Sequence, residues 1–455
     1  MKTYDAIWIG TGQATGTVVP QLRALGKTVA VIEEDRVGGT CVNWGCTPTK
    51  TLVASAKVAH VARTAGSYGI TVPSFQVDFP QVMDRVNRLR DEESRGFESW
   101  LRSLADFYPG HGELVGPHEV RVGDEVLRGE VIYLHTGTRA SMPTLPGLDE
   151  VSALDNRSLL ALKTLPEHLV ILGGSYIALE FAQIFRRLGS RVTILQRSPR
   201  LIVQEDPDFA SEVLQALNDE GIDVRLGTQL ERVRAVPGGV EVFFREAGGP
   251  ASVTGSHLFL GWGRTPNSDR LGLATVGIVP DSRGFVPTDD FLRTTVPHIF
   301  AVGDLNGRSA FTHTSVHDGQ VLLSQLRGGD WSVRDRIPIH AMFLDPPLAR
   351  VGMTEAQALE SGRPILKATR PMARIGRAKE KGETRGFIKV LADAESRRIL
   401  GVTIFGVEGD EVINLAAQWI ASGLPVEDLQ RTVLVHPTVS ELLPWILDDL
   451  QPLTE

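Results

Sequence analysis

Cysteine is nearly missing: the 455 residues include only Cys41 and Cys46. That count excludes a structural disulfide framework, so a disulfide here is expected to do chemistry rather than staple a fold. Long apolar runs are missing too. None approaches the ~18 residues that a membrane-spanning helix requires. Basic clusters are absent as well, and 47 Lys and Arg against 55 Asp and Glu give a formal net charge of −8. Nucleic acid and anionic membrane surfaces are therefore not expected partners. The opening residues, Met1 to Asp5, run straight into "AIWIG" with no basic region before an apolar core. A secretory leader is not expected, and the cytoplasm is the expected compartment.

What is present is enough to build packed cores. The hydrophobic fraction is 42%, which excludes general disorder, and the length calls for two to four domains. The chain opens as strand, glycine turn, helix and strand: "YDAIWIG", "TGQATGTVVPQLRALG", "KTVAVIEE". The same unit returns in "HLVILGGSYIALEFAQIFRRLGSRVTILQRS". The two copies align residue for residue: Gly10 with Gly173, Gly12 with Ser175, Thr15 with Ala178, Glu33 with Gln196. Two in-register copies predict two dinucleotide sites. The first glycine makes the tight turn, the second admits the pyrophosphate, and the small third residue lets helix and strand pack. Neither copy is ideal, with Thr15 at a small position and Ser175 at a glycine position.

The ends of the second strands separate the copies. Glu33 is an acid suited to ribose hydroxyls, whereas Gln196 is neutral and is followed by Arg197 and Arg200. Arginines there fit a ribose 2′-phosphate, so the second site is expected to prefer NADPH, with NADH possible; a solvated loop is the plainer reading. The stretch "DFPQVMDRVNRLRDEESRGFESWLRSL" predicts an amphipathic helix, and "PHEVRVGDEVLRGEVIYLHTGTR" predicts strands. Asp304 follows an apolar strand and Gly303, a place for a carboxylate that binds a ligand hydroxyl, or simply a turn aspartate. Beyond about residue 335 the pattern becomes a separate α+β unit.

Both cysteines lie in "GGTCVNWGCTPTK". After Cys46, apolar Leu52, Val53, Ala56, Val58, Ala59, Val61 and Ala62 recur with helical spacing. Thr47 is the expected N-cap and Pro48 the first helical residue. Cys46 then sits at a helix N-terminus, where the dipole favours a thiolate. The four residues between the cysteines, Gly45 among them, can bring the two sulfurs into bonding range.

This string closely resembles the redox-active disulfide of the FAD-dependent class I pyridine nucleotide-disulfide oxidoreductases. That family includes dihydrolipoamide dehydrogenase, glutathione reductase, mercuric reductase and reactive-chlorine-resistance flavoproteins. The resemblance covers essentially the whole chain through "IGTGQATG", "HTGTRASMPTLPG", "ILGGSYIALE", "GWGRTPN", "HIFAVGD", "DPPLARVG" and "HPTVSE". It implies an α/β fold with two Rossmann-like dinucleotide-binding domains and a C-terminal α+β dimerisation domain. The FAD domain would take 1–150 and 268–335, the NAD(P)H domain 151–267, and the dimerisation domain 336–455. FAD would be held by Gly10, Gly12, Thr15, Glu33, Gly39, Thr40, Thr136, Gly137, Gly303 and Asp304. NADPH would be held by Gly173, Ser175, Tyr176, Ala178, Arg197, Arg200 and Gly263.

The same resemblance assigns roles. Cys46 would lie against the flavin and Cys41 would attack the substrate. Lys50 and Glu180 would sit near the flavin's reactive nitrogen, and Tyr176 would cover the nicotinamide pocket and swing aside. His436 and Glu441 would be an acid–base dyad reaching the partner subunit's disulfide in a homodimer. "TVSE" also spells a capping box, which would give Glu441 a purely local task. A disulfide is the expected acceptor. Hg(II) or Cu(II) reduction by the same dithiol, or a redox-sensing role, are the alternatives. A mercuric reductase would carry a further C-terminal cysteine pair, and this chain ends "DDLQPLTE" with no third cysteine. His313 and His317 have metal-like spacing but no evident third ligand, and no metal site is expected.

Overall fold

Apolar strands alternate with amphipathic helices to lay down the first sheet, in a computed structural model that describes residues 1–453. The strand β1 (Lys2–Ile9) runs into α1 (Gln13–Ala24) and β2 (Val29–Glu33), and β2 pairs parallel with β1. Next come α2 (Gly39–Trp44), α3 (Cys46–Thr64) and the long α4 (Phe79–Leu104). Asp78 caps α4 by accepting a hydrogen bond from Gln81 N. A parallel edge strand β3 (Asp106–Pro109) joins β2. A meander of β4 (Gly112–Gly116), β5 (Glu119–Val122) and β6 (Glu125–Leu134) then brings the chain back beside β1. The predicted first unit and its amphipathic helix are both present.

The second sheet follows the short strand β7 (Thr138–Ala140). It consists of β8 (Ala153–Leu154), β9 (His168–Leu172), β10 (Arg191–Gln196), β11 (Asp223–Leu226) and, after a three-stranded antiparallel insert, one more strand. The insert is β12 (Gln229–Val236), β13 (Gly239–Glu246) and β14 (Gly249–Gly255), and the further strand is β15 (His257–Leu260). The five strands pair parallel in the order β11-β10-β9-β15-β8. Helices α5 (Asn156–Leu159), α6 (Tyr176–Leu188) and α7 (Pro207–Asp219) lie in this stretch. β16 (Arg264–Pro266) pairs with β7, and β17 (Ile299–Ala301) returns to the first sheet beside β6. The helix α8 (Thr312–Leu326) follows.

The remaining strands form an antiparallel sheet in the order β18-β19-β22-β21-β20-β23. They are β18 (Ile339–Met342), β19 (Leu348–Gly352), β20 (Ile365–Pro371), β21 (Phe387–Asp393), β22 (Ile399–Phe405) and β23 (Gln451–Pro452). The helix Gly409–Ser422 packs its Ile413, Ala416 and Trp419 into the core of this sheet.

One core crosses all three units. Leu179, Phe181 and Phe185 of α6 meet Leu52 and Ala56 of α3, Phe79 and Met83 of α4, and Met342 and Leu348 of the last sheet. Burying each such leucine or phenylalanine stabilises the fold by about 1.5–3 kcal/mol. Polar links tie the same junction. Arg187 in α6 donates to Glu220 at 2.7 Å and Asp345 at 2.6 Å, and buried Lys389 meets Asp206, Asp208 and Glu355. One expectation for α3 is corrected: Val58 and Val61 share its apolar spacing but are exposed. The inward face is Leu52, Ala56 and Ala59, which meets α6.

Candidate functional site

The N-terminus of α1 is stripped of side chains by its glycines. Gly10 turns with φ +95, and a Cβ there would lie 2.3 Å from the His135 carbonyl oxygen. Gly12 is the N-cap, and its Cβ would lie 2.6 Å from the His135 ring. Gly39 faces it so closely that its Cβ would come 3.2 Å from the Gly12 Cα. The glycines therefore let these backbone segments close together at the helix N-terminus, whose N–H groups suit a pyrophosphate.

Thr15 replaces the usual small residue because it has a polar task. Its hydroxyl sits 3.2 Å from His135 Nδ1, while His135 Nε2 bonds Ser315 at 2.9 Å. Burial pushes His135 down to about 4, so it stays neutral beneath the glycine turn. Glu33 ends β2 beside this turn and accepts from Thr11 N at 2.9 Å and Thr11 Oγ1 at 2.6 Å. Burial raises its carboxyl, and those hydrogen bonds oppose the rise.

After β6 and β17, Thr138 Oγ1 donates to Asp304 Oδ2 at 2.8 Å, and Arg264 lies 3.7 Å from the same oxygen. Burial raises the Asp304 carboxyl against the nearby Arg264 charge. Arg264 also reaches Thr40 Oγ1 at 3.4 Å, and Thr136 exchanges hydrogen bonds with Asn267. Gly303 turns with φ +69 and donates its N–H to buried Asp318 at 2.8 Å. Gly137 turns with φ +66 beside open space. The cradle of Gly12 and Gly39, with Glu33 at one end and Asp304 at the other, fits an extended dinucleotide.

The second glycine turn repeats the first. Gly173 has φ +115, and its Cβ would come 2.3 Å from Gly261 O. Ser175 is the N-cap of α6 at φ −103, an ordinary extended conformation, so a serine fits without strain. Ala178 packs so tightly on Gly261 that a Cβ on that glycine would lie 2.8 Å away. Gln196 ends β10, with Arg197 exposed and Arg200 donating to Val203 O at 2.8 Å. Gly263, with φ +120, borders open space.

The thiols lie where α2 meets α3. The expected capping is corrected here: the N-cap is Gly45, Cys46 itself is the first helical residue, and Pro48 lies inside the first turn. Thr47 instead donates to Glu93 at 2.7 Å. The shift strengthens the dipole argument, because the sulfur now belongs to the helix's first turn. The two cysteines are unbonded thiols here, with Cys46 the more exposed. A hydrogen bond from Cys41 lowers Cys46 most, and Thr312 and Lys50 help against desolvation, holding it at about 6. Thr312 Oγ1 lies 3.2 Å from Cys46 Sγ. The same pairing with Cys46, together with burial, pushes Cys41 up. One sulfur carries the charge and the other the proton.

Lys50, one turn along α3, bonds Glu180 of α6 at 2.9 Å, and Glu180 also accepts from Phe343 N at 2.8 Å. Tyr176, the first residue of α6, bonds Glu205 and His340. His436 and Glu441 do meet, with His436 Nδ1 2.9 Å from Glu441 Oε2. Thr438 also accepts from Glu441 N at 3.2 Å, so half of the capping box forms while the Glu441 carboxylate serves the imidazole. The dyad makes no hydrogen bond or ion pair with the cysteine segment among the described residues. His313 bonds Ile339 O at 2.7 Å through Nε2, and His317 accepts from Arg336 at 3.1 Å through Nδ1.

Two glycine-rich dinucleotide turns, a dithiol at a helix N-terminus and a C-terminal antiparallel sheet define a class of flavoenzyme. Residues 4–319 match the family described as pyridine nucleotide-disulphide oxidoreductase, and residues 339–447 match that family's dimerisation domain. The chain belongs to this family, whose members are enzymes that use FAD with a pyridine nucleotide as reductant.

Among its relatives is RclA of Escherichia coli, a probable pyridine nucleotide-disulfide oxidoreductase. It is 35% identical over 97% of this chain and 98% of that protein. A mercuric reductase of Bacillus cereus is 32% identical over 96% of this chain and 70% of its own length. The solved structure of a Cu(II) complex of RclA, described as an HOCl-induced flavoprotein disulfide reductase, superposes with a TM-score of 0.90. That match has 34% identity and covers 98% of this chain and 99% of the other.

Sequence reasoning singled out none of His135, Thr138, Arg264, Thr312 and Asp318. His135 and Thr138 lie inside "HTGTRASMPTLPG" and Arg264 inside "GWGRTPN", but nothing in their spacing marked them out. Only the fold brings them to the site.

Proposed function

We propose that this enzyme passes two electrons from NADPH through FAD to the Cys41–Cys46 pair and on to a disulfide substrate, working as a homodimer in the cytoplasm. The observation that carries this reading is the placement of the two cysteines, with Cys41 in α2, Cys46 opening α3, and Thr312 Oγ1 3.2 Å from the Cys46 sulfur. The same surroundings lower the Cys46 thiol and raise that of Cys41. Bound FAD supplies the two-electron relay between a hydride donor and the cysteine pair. The chain's residues supply the rest.

Reduction of the Cys41–Cys46 disulfide takes up two electrons and leaves Cys46 as thiolate and Cys41 as thiol. Cys41 needs a base before it can attack, because its proton is held toward the Cys46 sulfur. His436, oriented by Glu441, suits that task from the partner subunit. The Cys41 thiolate breaks the substrate S–S bond, forming a mixed disulfide and releasing one thiol that takes the proton from His436. Cys46 then attacks the Cys41 sulfur, which re-forms the intramolecular disulfide and expels the second substrate thiol. The sum is NADPH, a proton and a disulfide giving NADP⁺ and two thiols.

Further assignments belong to the same reading. Lys50, braced by Glu180, places a cation beside the flavin's reactive end. Tyr176 covers the nicotinamide pocket and swings aside for it. Arg197 and Arg200 hold a ribose 2′-phosphate, which Gln196 does not repel.

Anaerobic NADPH should bleach the flavin of the wild-type enzyme and raise a long-wavelength thiolate band. Cys46→Ser should lack that band, and its survival would reverse the assignment of the two sulfurs. A second reading, reduction of Cu(II) or Hg(II) by the same dithiol, draws support from the Cu(II) complex of RclA and the mercuric reductase relative. Steady-state rates with NADPH or NADH against lipoamide, glutathione disulfide, Cu(II) and Hg(II) separate the two. Turnover with metal and with no disulfide would favour the second.

A further inference from the structure

The bonds that hold Tyr176 are not those of a free-swinging ring. Its hydroxyl donates to Glu205, and its oxygen lies 2.8 Å from His340 Nε2. The same His340 nitrogen lies 2.9 Å from Glu205 Oε1. Because the tyrosine proton goes to the carboxylate, His340 Nε2–H is the donor shared between the carboxylate and the phenol oxygen. Arg350 closes the group from behind, donating from Nε to Glu205 Oε2 at 2.9 Å and from Nη1 to Gly352 O at 3.0 Å. Glu205 is fully buried, and His340 and Arg350 nearly so.

The aromatic face is held as well. Tyr176 stacks on His340 at 5.4 Å and 26°, and His340 stacks on Phe311 at 5.4 Å and 7°. Phe311 precedes Thr312, the residue against Cys46 Sγ. The ring column therefore runs from the chain neighbour of Thr312 to the tyrosine.

The segment that carries Glu205 is itself constrained. Ile202 is buried and β-branched yet adopts φ 36, a conformation that persists only where its surroundings impose it. Ile202 N donates to Gly174 O at 2.9 Å, and Leu201 lies so close that a Cβ on Gly174 would come within 2.7 Å of it. Glu205 is thus delivered by a stretch lying directly on the second glycine turn, while its partners come from the first two strands of the C-terminal sheet. Three units of the fold converge on one phenol.

We propose that Glu205, backed by His340 and Arg350, is a latch that holds Tyr176 closed over the nicotinamide pocket, so that reductant enters only when the phenol gives up its buried carboxylate. This rests on the reading of Tyr176 as the pocket's cover. Glu205, His340 and Arg350 are positioning residues that act through the tyrosine. Two consequences follow for the holoenzyme. Loosening the latch makes NADPH entry easier. It also leaves the reduced flavin less covered, so NADPH is oxidised wastefully by dioxygen.

The test compares Tyr176→Phe, His340→Phe, their double variant and Tyr176→Ala in the FAD-loaded enzyme. His340→Phe keeps a stacking ring and removes only the donor; Glu205→Gln is avoided because it would strand the Arg350 charge. Tyr176→Phe should lower the KM for NADPH by about tenfold, as expected for loss of one hydrogen bond to a buried charge, and raise dioxygen-dependent NADPH oxidation. The change should fall mainly on KM rather than kcat. His340→Phe should act in the same direction, and the double variant should add little to Tyr176→Phe, since both remove one network. Unchanged KM and oxidase rate in Tyr176→Phe, or effects that multiply in the double variant, would overturn the latch. If Tyr176→Ala alone opens the pocket, the cover stands and the latch falls. If even Tyr176→Ala changes nothing, the cover itself falls.

Discussion

Replacing Thr312 by valine isolates one contribution to the charge on Cys46. The Thr312 hydroxyl lies 3.2 Å from Cys46 Sγ and helps to hold that thiol at about 6. A hydrogen bond to a charged group is worth ~1.5–3 kcal/mol. Cys46 is exposed in the isolated chain, so solvent replaces part of what is lost and roughly half of that value is at stake. At 1.36 kcal/mol per pKa unit, the midpoint should rise by roughly half to one unit. The sign is fixed, because removing a donor to the charged form disfavours that form. At neutral pH the thiolate fraction would fall from about nine-tenths to between about one half and three-quarters.

The assay is a pH titration of the long-wavelength thiolate absorbance in the flavin-loaded protein. Cys41→Ala should move the midpoint further than Thr312→Val, because the Cys41 hydrogen bond is the largest influence on Cys46. A midpoint that stays fixed or falls in Thr312→Val refutes the reasoning. So does a larger shift from Thr312 than from Cys41.

Three further outcomes are expected. His436→Ala should slow disulfide turnover by roughly 10²–10⁴-fold while sparing anaerobic flavin reduction by NADPH, and equal loss of both would count against a base. Replacing Arg197 and Arg200 together by alanine should move the NADPH-to-NADH ratio of kcat/KM toward NADH by tenfold or more, at about 1.4 kcal/mol per tenfold; an unchanged ratio would make the pair a solvated loop. Arg187→Leu strands Glu220 and Asp345 and should cost roughly 3–5 kcal/mol in urea unfolding at neutral pH. Burial pushes Asp345 upward, but Arg187 and Lys57 outweigh it and hold its carboxyl below the ordinary ~3.9, so the pairing contributes above that value and is lost as pH falls. The gap between wild type and variant should therefore narrow toward acid, and a constant gap would contradict the linkage.

The chain's local grammar was readable, and its long-range chemistry was not. Strand, glycine turn and helix recur at a fixed offset because each turn needs a positive-φ residue at Gly10 and Gly173, and that requirement is written into neighbouring letters. The cysteine pair stood out because it is so rare. Helix capping was misread by two residues at Thr47, since Gly45 makes the turn with backbone alone and leaves no side-chain signal. Thr138 meets Arg264 across 126 positions and His135 meets Ser315 across 180, while the Glu205–His340 bond spans 135. No spacing rule reaches that far. Thr15 shows the same limit in reverse: it breaks the small-residue pattern because His135, 120 positions away, gives its hydroxyl a partner.

The exposure of the dyad bears on the proposed shared site. His436 has 81% of its side chain in solvent, while Glu441 beneath it has 16%. An imidazole so exposed cannot exclude water from a thiol exchange, and among the described residues no hydrogen bond joins it to Cys41. Its neighbours are exposed as well and apolar, with Val433 at 94%, Val435 at 76% and Trp445 at 63%. Large hydrophobic side chains clustered beside a histidine–carboxylate pair, in the unit that matches a dimerisation domain, are the surface that a second copy would cover. Burial there would turn a solvated hydrogen-bonded pair into a desolvated and oriented base. The proposed homodimer and the proposed role of His436 as the base then stand or fall together, because both need the same surface to be covered.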